Sequence, residues 1–357
     1  MKSRRIWLTG LFSLLALPLG SCGFRPGLAV EEQAATIVAA SATAAAETST
    51  VTPIPPSATL PPSSTPTPTE TPTATPTPLA GGGRIAFVSN RTGQRDLYVI
   101  LPEGSGLSRL TDSPGDEFYP AWSPEGDRLA FTYWVPKQIV DSGVFVMNAD
   151  GRGRYKILDQ GWNPDWSPDG GQIVVAYSPC SFIYCSDPPP SNLRVINPEG
   201  GASVPITDDP ISHREPAWSP DGRWVATTVT LGSWPGPINY EIYLVDPTTG
   251  LEVRVTEFPG TDSEPSWSPD GLRIAFTSNR GGNLDIYLMT VEGGQITQLT
   301  DHPGEDGHPT WSPDGRWIAF ASERDGNFEL YLLEIDTGAL VRLTDDPADD
   351  VEPDWSR

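Results

Sequence analysis

The chain has 357 residues, enough for one large domain or two ordinary ones, and a 37% hydrophobic content with 12 Trp allows a sizeable core. Its 35 Gly and 39 Pro favour many turns and short strands over long helices. The formal charge is -23; residues 1–80 carry four basic and four acidic side chains, so the whole excess falls on residues 81–357. A surface that acidic repels nucleic acid and anionic lipid and suits cationic partners or metal ions better.

Lys2, Arg4 and Arg5 precede an apolar stretch of 14 residues (6–19), too short for a comfortable membrane span. It ends in Leu19-Gly20-Ser21-Cys22, which resembles the lipobox of bacterial lipoproteins. That resemblance implies a signal peptide over residues 1–21, cleavage before Cys22 and lipidation there. The expectation is an exported protein on the outer side of the cytoplasmic membrane, at the cell surface or in the periplasm, touching the membrane only through its lipid. Residues 22–80 read as a disordered stalk, Ala-rich over 29–47 and then almost all Thr, Pro, Ser and Ala. Such a segment has no apolar area to bury and stays extended as polyproline II. Gly81, Gly82 and Gly83 lead into the folded domain, residues 81–357.

Self-similarity dominates that domain. Trp-Ser-Pro-Asp/Glu-Gly begins at Trp122, Trp166, Trp218, Trp267 and Trp311, and a sixth copy starts at Trp355 and stops after Ser356. Each unit fits four short strands, A to D. Strand A is x-Pro-x-Trp-Ser, the Pro-Asp-Gly turn follows, strand B is apolar, strand C resembles Asp285-Ile286-Tyr287-Leu288, and strand D ends in Leu-Thr. The first unit has strands B (84–88), C (96–100) and D (108–111) but no strand A, whereas the C-terminus supplies a strand A (353–356) with nothing after it. The two fragments complement each other, so the fold class expected is all-β, a six-bladed β-propeller closed by N- and C-terminal strands sharing one blade. Closure also removes exposed sheet edges.

The repeat W-S-P-D-G-x-x-I-A-F…S-x-R-x-G-x-x-x-I-Y…L-T resembles the WD-like repeat of TolB-type propellers, most completely over residues 267–300. The resemblance implies an envelope propeller that commonly binds proteins. Propellers of this type also accompany peptidases and some lyases, so it does not fix function. No α/β-hydrolase domain follows the last repeat, and a propeller without an appended peptidase is expected. The turn carboxylates Glu125, Asp169, Asp221, Asp270 and Asp314 read as turn caps rather than catalysts.

From Trp to the start of strand C is 18 residues in the last two complete units (Trp267 to Asp285, Trp311 to Glu329), against 21 from Trp122 to Gly143, 26 from Trp166 to Asn192 and 23 from Trp218 to Glu241. Three consecutive B–C loops have therefore grown. They are read as holding Trp134, Phe182, Tyr184 and Trp234, together with Cys180 and Cys185, which in an oxidising compartment suit a local disulfide or else stay as two free thiols. The D–A loops on the same face are acidic, for example Asp301, Glu305 and Asp306. Loop variation on a rigid scaffold marks a binding face. A second candidate is the residue before each strand A proline: Tyr119, Asn163, Glu215, Glu264, His308 and Glu352, placed at the start of the innermost strand and the mouth of the central channel. Of these, Glu215, Glu264, His308 and Glu352 carry donors suited to a divalent cation.

No G-x-S-x-G elbow, phosphate loop or His/Cys cluster is present, and no catalytic residue or cofactor is expected beyond that divalent cation. The leading expectation is a monomeric, non-enzymatic binding module, its partner an envelope or extracellular protein or a glycan. The alternative is a metal-dependent polysaccharide lyase with a channel-mouth site. Against it, His308 is the ring's one imidazole, and the acidic face repels polyanionic substrates.

Overall fold

The computed structural model describes residues 82–135, 141–178, 191–232, 238–292 and 294–356. The signal peptide, Cys22, the stalk, Cys180, Phe182, Tyr184, Cys185 and Trp234 lie outside the described residues. Within them, strands β1 to β24, numbered in chain order, form six four-stranded antiparallel sheets.

The innermost strands are β4 (Asp116–Trp122), β8 (Gly161–Trp166), β12 (Ser212–Trp218), β16 (Asp262–Trp267), β20 (Asp306–Trp311) and β24 (Asp350–Trp355). Next outward stand β1 (Ile85–Ser89), β5 (Arg128–Trp134), β9 (Ile173–Tyr177), β13 (Val225–Leu231), β17 (Arg273–Ser278) and β21 (Trp317–Ser322). The third layer is β2 (Asp96–Ile100), β6 (Gly143–Asn148), β10 (Asn192–Ile196), β14 (Asn239–Val245), β18 (Asp285–Thr290) and β22 (Glu329–Glu334). The outer strands are β3 (Ser108–Arg109), β7 (Tyr155–Leu158), β11 (Val204–Pro205), β15 (Glu252–Arg254), β19 (Ile296–Gln298) and β23 (Leu340–Arg342). The first blade runs β24-β1-β2-β3, so both ends of the domain share it, with Ile85 opposite Trp355 and Ser89 opposite Asp350. The closed six-blade ring expected from the sequence is the fold.

Two local readings change. Strand D stops short of its Leu-Thr, because the threonine hydroxyl has another task. It accepts the backbone N–H of Leu97, Leu193, Ile242, Ile286 or Leu330 at 2.9 Å, from Thr111, Thr207, Thr256, Thr300 or Thr344. Strand A begins three or four residues before its proline, and a bulge interrupts its pairing there, as between Ser263 and Ser266 in β16. Proline has no N–H for the ladder, so the bulge falls where a donor is missing.

The cores lie between blades. Ile85, Phe87 and Trp355 of the first blade pack with Ala319, Leu330 and Leu332 of the sixth. In three blades the repeat tryptophan stitches neighbours together: its indole N–H donates to the preceding blade's strand A, Trp166 to Ala121 at 3.1 Å, Trp267 to Ala217 at 3.2 Å and Trp311 to Ser266 at 3.1 Å. Its turn is self-capped, with Ser268 Oγ donating to Asp270 Oδ1 at 2.5 Å and the Leu272 N–H to the same oxygen at 3.0 Å. Asp169, Asp221 and Asp314 take the same role, as the spacing assigned, whereas in the second blade Ser123 Oγ donates to Asp127 and not to Glu125.

Candidate functional site

The six strand A residues singled out in the sequence all line the channel. Each lies in mid-strand at the bulge, which corrects their placement at the strand's start. All six adopt left-handed backbone: Tyr119 (φ 52), Asn163 (49), Glu215 (50), Glu264 (55), His308 (55) and Glu352 (54). A non-glycine residue pays steric strain for that conformation, and its recurrence in every blade marks it as part of the bulge.

The left-handed turn presents the residue's N–H to the neighbouring blade, where a side chain accepts it. His308 N–H donates to Glu264 Oε2 at 2.7 Å, Glu264 N–H to Glu215 Oε2 at 3.1 Å, and Tyr119 N–H to Glu352 Oε2 at 2.6 Å. Where the preceding ring residue is Tyr119, Thr132 Oγ1 accepts from Asn163 instead, at 3.1 Å. Thr228 and Thr277 hydroxyls also donate, to Glu215 and Glu264, both at 2.7 Å. One oxygen of each carboxylate is thus committed to joining blades. Glu264 Oε1 faces His308 Nδ1 at 3.3 Å.

Burial pushes the Glu215 carboxyl up, reinforced by Glu264, and burial likewise raises Glu352. For His308, burial works toward a lower value, but Glu264, Glu352 and Glu215 outweigh it and the imidazole is raised. The Glu352 charge, with burial, raises Tyr119 as well. The ring is a place where negative charge is crowded and a positive charge is welcome.

On the loop face, the B–C and D–A loops do meet: Asn283 Nδ2 donates to the carbonyl of His302 at 2.7 Å, and Asn327 Nδ2 to that of Ala348 at 2.8 Å. The acidic rim is less exposed than the sequence suggests. In four blades, two residues before the ring position, a buried acid turns inward against an arginine. The pairs are Asp350 with Arg91 at 2.7 Å, Glu117 with Arg154 at 3.1 Å, Asp262 with Arg280 at 2.7 Å and Asp306 with Arg324 at 3.0 Å. Three of these arginines are those of the Ser-x-Arg-x-Gly motif, and each guanidinium also lies over an aromatic ring, as Arg324 does 4.6 Å from Tyr331. Desolvation still holds Glu117 up at about 7.

Trp134 is the last residue of β5, paired with Asp116 and half-buried, which corrects its assignment to the loop. The fourth-blade insertion is partly a longer hairpin: β13 and β14 stay paired out to Leu231 and Asn239, and Tyr240 N–H reaches the Gly260 carbonyl at 3.1 Å.

One group was missed. In the fourth blade the inward-facing acid is replaced by His213, whose Nε2 lies 3.0 Å from Asp209 Oδ2 and 3.7 Å from Glu252 Oε1. Burial lowers the His213 imidazole, and burial together with Asp209 pushes Glu252 up to about 8. These are the three ligand atoms that come within 4.8 Å of one another among the described residues. Aligning the D–A loops would have exposed His213 as the one imidazole in a column otherwise holding four acids, Asp350, Glu117, Asp262 and Asp306, and Gly161.

The fold is a six-bladed β-propeller, and part of its repeat is similar to TolB propellers. Residues 186–302 match the model of the TolB beta propeller domain, and residues 285–355 that of the dipeptidyl peptidase IV N-terminal region. A TolB homolog of Chlorobium luteolum is 31% identical over 147 residues, 41% of this chain and 31% of that protein. An uncharacterized peptidase of Bacillus subtilis is 26% identical over 159 residues, 42% of this chain and 20% of its own length. The chain therefore spans a third or less of these two curated relatives. The crystal structure of TolB from Acinetobacter baumannii superposes with a TM-score of 0.62 at 20% identity, covering 77% of this chain and 66% of that one. Relatives that include both TolB and a peptidase leave the chemistry to be argued from the site.

Proposed function

We propose that this protein is a non-enzymatic binding module of the cell envelope. In this reading the Cys22 lipid and the stalk hold the propeller off the membrane, and its loop face receives a protein or glycan partner. The observation that carries the reading is the concentration of change on one face. Six blades share one four-stranded plan, while three consecutive B–C loops have grown, one of them into a longer hairpin. Phe182, Tyr184 and Trp234 belong to those insertions, and large aromatics serve interfaces and sugar platforms. The likeness to TolB supports the same kind of module.

The channel ring favours a structural role over a lyase metal, because Glu215, Glu264 and Glu352 each bind the next blade's backbone. The test is capture of partners from envelope extract by the full chain, compared with a chain whose third- and fourth-blade insertions are cut to repeat length. Loss of capture with an unchanged melting temperature supports the module; equal capture by both removes it.

A further inference from the structure

The fourth blade reverses a charge arrangement that four other blades keep. Glu252 precedes Val253, the partner of Leu244, which stands opposite Ala226; Arg154 precedes Tyr155, the partner of Val146, opposite Ala130. Glu252 therefore occupies the position of Arg154, as His213 occupies that of Glu117. An acid–arginine pair has become a histidine–acid pair, and the D–A loop adds a second carboxylate, Asp209.

That exchange leaves two carboxylates around one imidazole with no arginine between them. Arg254, two residues along β15, is engaged by Glu241 at 2.8 Å and by the Thr256 carbonyl at 2.7 Å. His213 is fully buried, and its Nδ1 has no hydrogen-bond partner. With its proton on Nδ1, a neutral imidazole leaves the Nε2 lone pair facing Asp209 and Glu252, where a cation would be held by all three side chains.

We propose that Asp209, His213 and Glu252 form a three-ligand site for a divalent transition metal of the zinc class. The donor set, one imidazole nitrogen and two carboxylate oxygens, is that of borderline divalent ions, with a fourth position left for water or a ligand group. Tetrahedral ligands about 2.1 Å from zinc lie roughly 3.4 Å apart. The separations from His213 Nε2, 3.0 and 3.7 Å, bracket that value, so a shift of a few tenths of an ångström suffices. The Asp209 and Glu252 side chains are 26% and 21% exposed, which gives an ion a route in, while the buried histidine fixes the anchor. The site stands on the loop face beside the end of the third-blade insertion, where Ser191 accepts the His213 N–H at 2.8 Å. It is independent of the partner-binding reading.

The test is calorimetric titration of the full chain, stripped with EDTA, with zinc chloride at neutral pH. The expected result is one zinc per chain, accompanied by a raised melting temperature. Glu252→Gln, which keeps the side chain's shape, should weaken binding at least about tenfold, and Asp209→Asn is the second variant should the first fold poorly. The channel variant His308→Gln should bind as the parent does. No heat and no thermal shift up to about 1 mM zinc would mean that the two carboxylates share only a proton, and the proposal would fall. It falls equally if Glu252→Gln and Asp209→Asn both fold and bind zinc as tightly as the parent.

Discussion

Ring closure predicts a large penalty for a change at the last ordered tryptophan. Trp355 is 5% exposed and packs against Ile85, Phe87, Ile100 and Leu343, joining the first blade to the sixth. Its replacement by alanine removes an indole from a core that cannot collapse without moving two blades, so the cost should be about 3–5 kcal/mol. For a domain of this size each kcal/mol lowers the melting temperature by about 2–4 °C, giving a shift on the order of 6–20 °C. Trp355→Phe should recover part of it. Deleting residues 350–357 should go further. It strips β1 of its ladder and leaves Arg91 without Asp350, Tyr119 N–H without Glu352 and Trp122 N–H without Asp354. Those losses together rival the whole stability of an ordinary domain, and the truncated chain should not fold cooperatively. The assay is thermal and urea unfolding followed by tryptophan fluorescence and circular dichroism. A Trp355→Ala protein melting within about 2 °C of the parent would refute the shared-blade account.

Arg324→Met should cost about 3 kcal/mol in urea unfolding, because Asp306 is left buried without its guanidinium. Stability measured in EDTA should fall as pH rises from about 4.5 to about 8. Glu117, Glu215, Glu252 and Glu352 all have raised carboxyls, so the folded state holds protons that the unfolded state has released. His308, raised in the fold, adds to the loss above 6.5; His213, lowered by burial, offsets part of it by destabilising the fold below 6.5. A melting temperature that climbs steadily from pH 5 to 8 would contradict that balance of signs. Cys22→Ser should move the protein from membrane to soluble fractions on ultracentrifugation; continued sedimentation with membranes would make the apolar leader the anchor.

The blades were legible because their signals are local. Pro-Asp-Gly sets its own turn, and the Ser268–Asp270 type of cap needs only residues five apart in the chain. The shared blade could be read for the same reason, as a missing strand A at one end and a spare one at the other. The channel ring was legible as positions but not as conformation. Nothing in the identities of Tyr119, Glu264 or His308 announces left-handed backbone, which follows from a bulge at the proline and an acceptor on the adjacent blade. Trp134 was misplaced because a loop was measured by counting residues, and β5 simply continues to Trp134. The acidic rim misled for a similar reason. Asp262, Asp306, Asp350 and Glu117 look like surface charge in the sequence, and only cross-strand geometry shows each turned inward on an arginine. His213 and Glu252 lie 39 positions apart and meet only because the face of one blade brings strands A and D together.

The loop face and the channel can be separated by one experiment on a single captured partner. Two sets of variants are titrated against it: chains with the third- and fourth-blade insertions cut to repeat length, and chains carrying Glu264→Gln or His308→Ala in the ring. If the face is the binding surface, the trimmed chains lose affinity by at least about tenfold, or 1.4 kcal/mol, with the melting temperature unchanged, while ring variants that remain folded bind as the parent does. Trimmed chains that bind with parental affinity, beside ring variants that do not bind, would contradict the account and place the recognition in the channel.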